Sequence, residues 1–134
     1  MKIAVLICRF FLGLSFITFG LNILHPFLPQ PPPFPEGSLT AHFIAAMGPS
    51  HWMQFVGALQ VLGGALLLYC PTVPLGLTIL APILVNILAF HIFMMKGAGI
   101  GPGVVFTALE LFLIYSYKDF FMPIITGKLK STDK

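Results

Sequence analysis

Residues 3–24 read IAVLICRFFLGLSFITFGLNIL, an apolar run whose strongly polar members are Arg9 and Asn22 and which stops at His25-Pro26. A stretch of this kind, longer than about 18 residues, is read as a membrane-spanning helix. Proline cannot continue a helix, so the run has a defined end. It is long for the core of a signal peptide, holds an arginine and lacks a small-x-small cleavage site, so a retained first span is expected rather than a cleaved leader.

The rest of the chain follows the same logic. Of 134 residues, 57% are hydrophobic and 8% charged, with a mean hydropathy of +0.98. Ordinary soluble domains carry about 25% charged residues, so a water-soluble globule is excluded and the apolar surplus must face lipid. The length admits one domain, residues 1–134, of four spans at about 20 residues each. The expected fold is therefore an all-α, integral membrane four-helix bundle running up-down-up-down. Its spans are expected at about 3–24, 51–69, 75–95 and 104–121.

Between the first two spans lies an external connection over residues 25–50. It begins with PFLPQPPPFP (Pro26–Pro35), a stiff polyproline-like loop. Ser38 is placed to cap a short helix carrying Leu39, Phe43 and Met47 on one face, which lies along the interface or caps the bundle mouth and ends at Gly48-Pro49. Cys70-Pro71-Thr72-Val73-Pro74 is a tight turn, making the second and third spans an antiparallel hairpin. Pro82 predicts a kink in the third span. KGAGIGPG (Lys96–Gly103) is a glycine-rich turn before the fourth.

The formal charge is +3, but the basic residues are too few and scattered for a nucleic-acid surface. They serve better as topology signals. Lys2, Arg9, Lys118, Lys128, Lys130 and Lys134 fall on one side against Lys96 on the other, which places both termini in the cytoplasm. Cys8 and Cys70 match neither a disulfide framework nor a zinc site, and free thiols are expected. No haem, flavin or metal motif is present. His25, His42 and His51 fall in loops or at the interface.

Two ionisable groups lie inside spans, Arg9 and Glu110, at a cost of about 2.5 to 3.5 kcal/mol for a charge at mid-membrane. Helical rise puts Arg9 about 9 Å and Glu110 about 16 Å from the inner edge, with Gln60 about 15 Å deep. The expectation is a buried Arg9–Glu110 ion pair in one polar layer with Gln60. Tyr117 and Thr107 share the Glu110 face. Gly13 and Gly20 share the Arg9 face, and Gly57 and Gly64 the Gln60 face, so that small residues let the helices close. A second polar set, Asn22, Gln54, Asn86 and His91, falls about 21 to 28 Å from the inner edge and could line an outer vestibule. Asn86 and His91 are about 140° apart on an ideal helix, so both face inward only where the helix is reoriented.

The strings RFFLGLSFITFGLN (Arg9–Asn22), FVGALQVLGGALLL (Phe55–Leu68), APILVNILAFHIF (Ala81–Phe93) and the segment Glu110–Phe121 resemble the DoxX family of small four-span bacterial membrane proteins. The resemblance covers nearly the whole chain. It implies a four-span helical bundle in the bacterial inner membrane whose better-known relatives associate with oxidoreductase systems, including a thiosulfate:quinone oxidoreductase. Some members carry an acidic residue where this chain has Gln60. On that resemblance the chain is expected to be a membrane subunit of a quinone-linked redox system. Glu110 would act as proton acceptor and Arg9 would tune its charge, with Gln60, Tyr117, Asn86 and His91 as ligand-binding candidates. A quinone would be the cofactor, and a redox enzyme or a second copy of the chain the protein partner. The alternative is a non-enzymatic assembly factor or scaffold, for which the buried pair is a structural clip. A transporter would have to oligomerise.

Overall fold

A computed structural model describes residues 1–128. The protein is all-α and 77% helical, without strands among the described residues. The helices are α1 (Lys2–Leu24), α2 (Leu39–Met47), α3 (Trp52–Leu68), α4 (Val73–Ala89), α5 (Gly101–Ser116) and α6 (Lys118–Ile125). A 3₁₀ turn, Cys70–Thr72, leads into α4, and a π-helical turn, Phe90–Met94, extends it.

Two helical stretches, Lys2–Leu24 and Cys70–Met94, are long and apolar enough to cross a membrane, and α2 with α3, bent by 80°, make a third if they count as one. At 16 residues α5 is shorter. Large apolar side chains point outward from the packed helices, among them Phe10, Phe11, Leu14, Leu62, Val85 and Leu111.

α1 packs on α3, α3 on α4, α4 on α5, and α5 back on α1. The interior holds Leu12, Phe16, Leu67, Leu77, Leu84 and Leu113. The closest approach is between α1 and α3. A Cβ on Gly13 would sit 2.8 Å from the Gly64 carbonyl oxygen, one on Gly64 2.6 Å from that of Gly13, and one on Gly20 2.6 Å from that of Gly57. Only hydrogen fits between these backbones. Because Gly13 meets Gly64 while Gly20 meets Gly57, the two helices are antiparallel and their register is set. A second seam joins α3 to α4, where Gly76 lies against the Gly63 carbonyl.

The segment between α1 and α3 behaves as its residues dictate. Ser38 Oγ accepts the Ala41 N–H at 3.1 Å and caps α2. Buried Thr40 then donates its hydroxyl to the Met94 carbonyl at 3.1 Å, and Phe43 stacks on Phe90 with centroids 5.3 Å apart. These contacts fasten α2 across the end of α4. Asn22 accepts the N–H groups of Phe27 and Leu28 at 2.9 and 2.8 Å, so its side chain turns the chain out of α1.

α4 continues through Pro82 to Ala89, with the π-helical turn beyond it. Two sequence expectations differ from the structure. The last apolar run starts at Gly101, with Pro102 in its first turn, and breaks at Tyr117 (φ −106°, ψ 18°) into α6. In α6, Phe121 packs on the core while Phe120, Met122, Ile124 and Ile125 are exposed. Lys130 and Lys134 lie outside the described residues.

Gly64→Ala is expected to lower the stability of the detergent-purified protein by about 1 to 3 kcal/mol, since a backbone must move to admit the methyl. Gly101→Ala, where nothing lies within 4 Å of the added carbon, should change it by less than about 0.5 kcal/mol. Thermal unfolding in one detergent compares the two.

Candidate functional site

Arg9 is 5% exposed. Its Nε donates to the Leu67 carbonyl at 3.0 Å, its Nη2 to the Leu68 carbonyl at 3.2 Å, and its Nη1 to Cys70 Sγ at 3.0 Å. Thr72 Oγ1 donates to the Leu66 carbonyl at 2.8 Å. The last four carbonyls of a helix have no intrahelical donor and carry the negative end of its dipole. Arg9 and Thr72 together supply donors to three of them, at the end of α3. The guanidinium is therefore a clasp on a helix terminus.

The expected Arg9–Glu110 ion pair is not made. Glu110 is 3% exposed, and its Oε1 has no hydrogen-bond partner. Side-chain direction explains the separation. Phe16 stacks on Phe106 at 5.9 Å, which in an antiparallel pair puts residue 110 opposite residue 12, about 4.5 Å along α1 from Arg9. Helical side chains lean toward their own N-terminus, so Arg9 leans one way and Glu110, on the opposed helix, leans the other. Thr107 does not help Glu110, because its hydroxyl donates to the Gly103 carbonyl at 2.8 Å.

Nor do the three polar groups share a layer. In the glycine-set register of α1 and α3, residue 60 lies opposite residue 17, about 12 Å along α1 from Arg9. Tyr117 is half-buried at the other end. It lines a recess of about 440 Å³ with Met1, Lys2, Arg9, Cys70 and Ser116.

Gln60, Asn86 and His91 come together elsewhere. They line a cleft of about 340 Å³ between α2, α3, α4 and the π-helical turn, within the range of small-molecule sites, about 300 to 1,000 Å³. Val56, Leu59, Ile79, Ile83 and Ile87 make its apolar wall, and Phe43, Trp52, Phe55 and Phe90 line it from α2, the first turn of α3 and the end of α4. Gln60 is 6% exposed and its Oε1 lacks a partner. Asn86 is exposed. His91 Nδ1 lies 2.8 Å from the Ile87 carbonyl. A carbonyl only accepts, so the proton is on Nδ1, leaving Nε2 an acceptor in the neutral ring. The π-helical turn is the reorientation that lets Asn86 and His91, too far apart in angle on an ideal helix, line one cleft.

No three His, Cys, Asp or Glu residues are placed to hold a metal ion among the described residues. No family model matches the chain, and no curated protein or solved structure matches it.

Sequence reasoning missed the Arg9–Cys70 contact, and it left open whether α2 lies along the interface or caps the bundle mouth, as it does over the cleft. The first had a signal: seven-residue glycine spacings on both helices, paired antiparallel, place residue 9 opposite residue 68. The second had only the Ser38 cap. Arg9→Gln is expected to lower stability by about 2 kcal/mol, the scale of charge-assisted hydrogen bonds. Cys70→Ala should cost less than half as much, as a thiol is a weak acceptor. Denaturation of both variants in mixed micelles gives the comparison.

Proposed function

We propose that the protein is a DoxX-like, four-span protein of a bacterial inner membrane, with both ends cytoplasmic, acting as a membrane subunit beside an oxidoreductase and handling a quinone-class lipophile. The four-span reading is supported by the ring of packed antiparallel helices and their outward apolar side chains. In that reading α3 and α5, short for a hydrocarbon core of about 30 Å, are lengthened by α2 and α6 lying at the two interfaces. The cytoplasmic placement is supported by charge: Lys2 and Arg9 line the recess at the end of α5, close in sequence to Lys118, whereas Lys96 follows the opposite end of α4.

The observation that carries the functional reading is Glu110. A carboxyl group buried in the interior of a lipid-facing bundle, with an unpartnered oxygen and no basic side chain among the described residues bonded to it, contributes nothing evident to the fold. Intramembrane ionisable groups of this kind mark proton and substrate paths. Arg9, fully engaged at the end of α3, drops out of the proton chemistry. Glu110 is the group left to relay a proton, giving up one of the two that quinone reduction consumes and accepting one of the two that quinol oxidation releases. The second is exchanged with solvent, and the two electrons are supplied or removed by the partner enzyme.

The scaffold reading has one observation of its own, since Arg9, the other intramembrane charge, is spent on holding helices together. Glu110→Gln separates the two. Under the redox reading the variant folds with an unchanged thermal midpoint, while quinone reduction in membranes of the native host falls by about 100-fold, the scale of a lost general acid or base. Under the scaffold reading the rate is unchanged and co-purification of the partner persists.

A further inference from the structure

The cleft between α2, α3 and α4 has a composition that selects its occupant. Apart from Gln60, Asn86 and His91 its lining is apolar or aromatic, and among the described residues no lysine, arginine, aspartate or glutamate contributes to it. An ion or a phosphate headgroup would find no countercharge there. An acyl chain would fit the apolar wall but would bring no hydrogen-bonding atom to the Gln60 carboxamide, which is more than nine-tenths buried. A buried amide group left unpaired is costly, so the occupant that suits the site brings one polar atom to Gln60 and hydrocarbon to the rest.

The aromatic lining narrows the class further. Phe43 and Phe90 stack at 5.3 Å, Phe90 meets the His91 ring edge-on at 5.6 Å, and Trp52 and Phe55 lie 5.8 Å apart on the opposite wall. Aromatic faces and edges favour a flat ring between them. From Trp52 to Gln60 the cleft follows α3 for eight residues, about 12 Å, longer than one ring and matched to a ring with a short apolar tail.

We propose that this cleft binds a lipid-soluble molecule with a planar ring head bearing a carbonyl or hydroxyl oxygen, that oxygen hydrogen-bonded to the Gln60 carboxamide and its tail leaving beneath α2. A carboxamide offers both a donor and an acceptor, so Gln60 serves a ring carbonyl and a ring hydroxyl alike, the two states between which a quinone cycles. The choice of a redox ring rests on the function proposed above; the position of the site does not.

Trp52 is the single tryptophan and lines the cleft, so its emission reports occupancy directly. Decylubiquinone is titrated into the full chain held in quinone-free nanodiscs. The expected result is saturable quenching, weakened about tenfold by Gln60→Leu and removed by Leu59→Phe, which fills the cleft. Quenching that rises without saturation, or that saturates equally in Gln60→Leu and Leu59→Phe proteins of native thermal midpoint, overturns the site. Stronger quenching by phospholipids brominated along the acyl chain, undiminished by decylubiquinone, overturns it in favour of a lipid tail. Saturable, Gln60-dependent binding with no effect of Gln60→Leu on quinone reduction in native membranes upholds the site and removes the redox function. Absent binding alongside a Glu110-dependent rate does the reverse.

Discussion

The contact on which the rest of the structure depends is backbone against backbone. Between Gly13 and Gly64, and again between Gly20 and Gly57, there is no room for a methyl group. In lipid, helices gain nothing by burying leucine from one another, because the surrounding tails are as apolar as the side chains. Association rests on close packing and on polar contacts. Two glycine pairs seven residues apart supply the first and, by meeting at both points, fix which residue of α1 faces which residue of α3. Arg9 then arrives at the open end of α3 and supplies the second, donating to carbonyls that would otherwise be unpaired.

That arrangement divides the polar residues among separate tasks. Arg9, Thr72 and Cys70 close the C-terminal end of α3. Glu110 is left in the interior with no cation bonded to it among the described residues. The Gly63–Gly76 seam holds α3 and α4 together near their short connection. Farther along, where the facing residues are Val56, Leu59, Ile83 and Asn86, the cleft lies between them, and α2 covers it. Thr40 and Phe43 hold that cover to the π-helical turn. The site candidates are thus products of where the glycines stop.

Much of this was legible in the amino-acid order. The apolar runs, the Ser38 cap, the tight turn after Tyr69 and the facing glycines each have a local cause that acts the same way in the chain and in the fold. The ion pair did not follow, because depth along a span locates a Cα and says nothing of lean. Arg9 and Glu110 sit at adjacent levels on opposed helices, and their side chains diverge. Asn86 and His91 were separated by the assumption of ideal helical angles, which the five residues of the π-helical turn remove. The break at Tyr117 escaped notice because hydrophobicity continues through α6 while the backbone does not.

The charge of Arg9 belongs to α3 and not to Glu110. Arg9 is the only arginine, and Glu110 is one of two glutamates, the other being Glu36 in the proline-rich connection. Solid-state NMR of the bilayer-embedded protein, with ¹⁵N in the arginine side chain and ¹³C first in leucine carbonyls and then in glutamate carboxyls, measures the distance to each. The account expects strong dipolar dephasing from the leucine carbonyls and none of comparable strength from the carboxyls. Strong dephasing from a glutamate carboxyl, with weak dephasing from leucine, would contradict it.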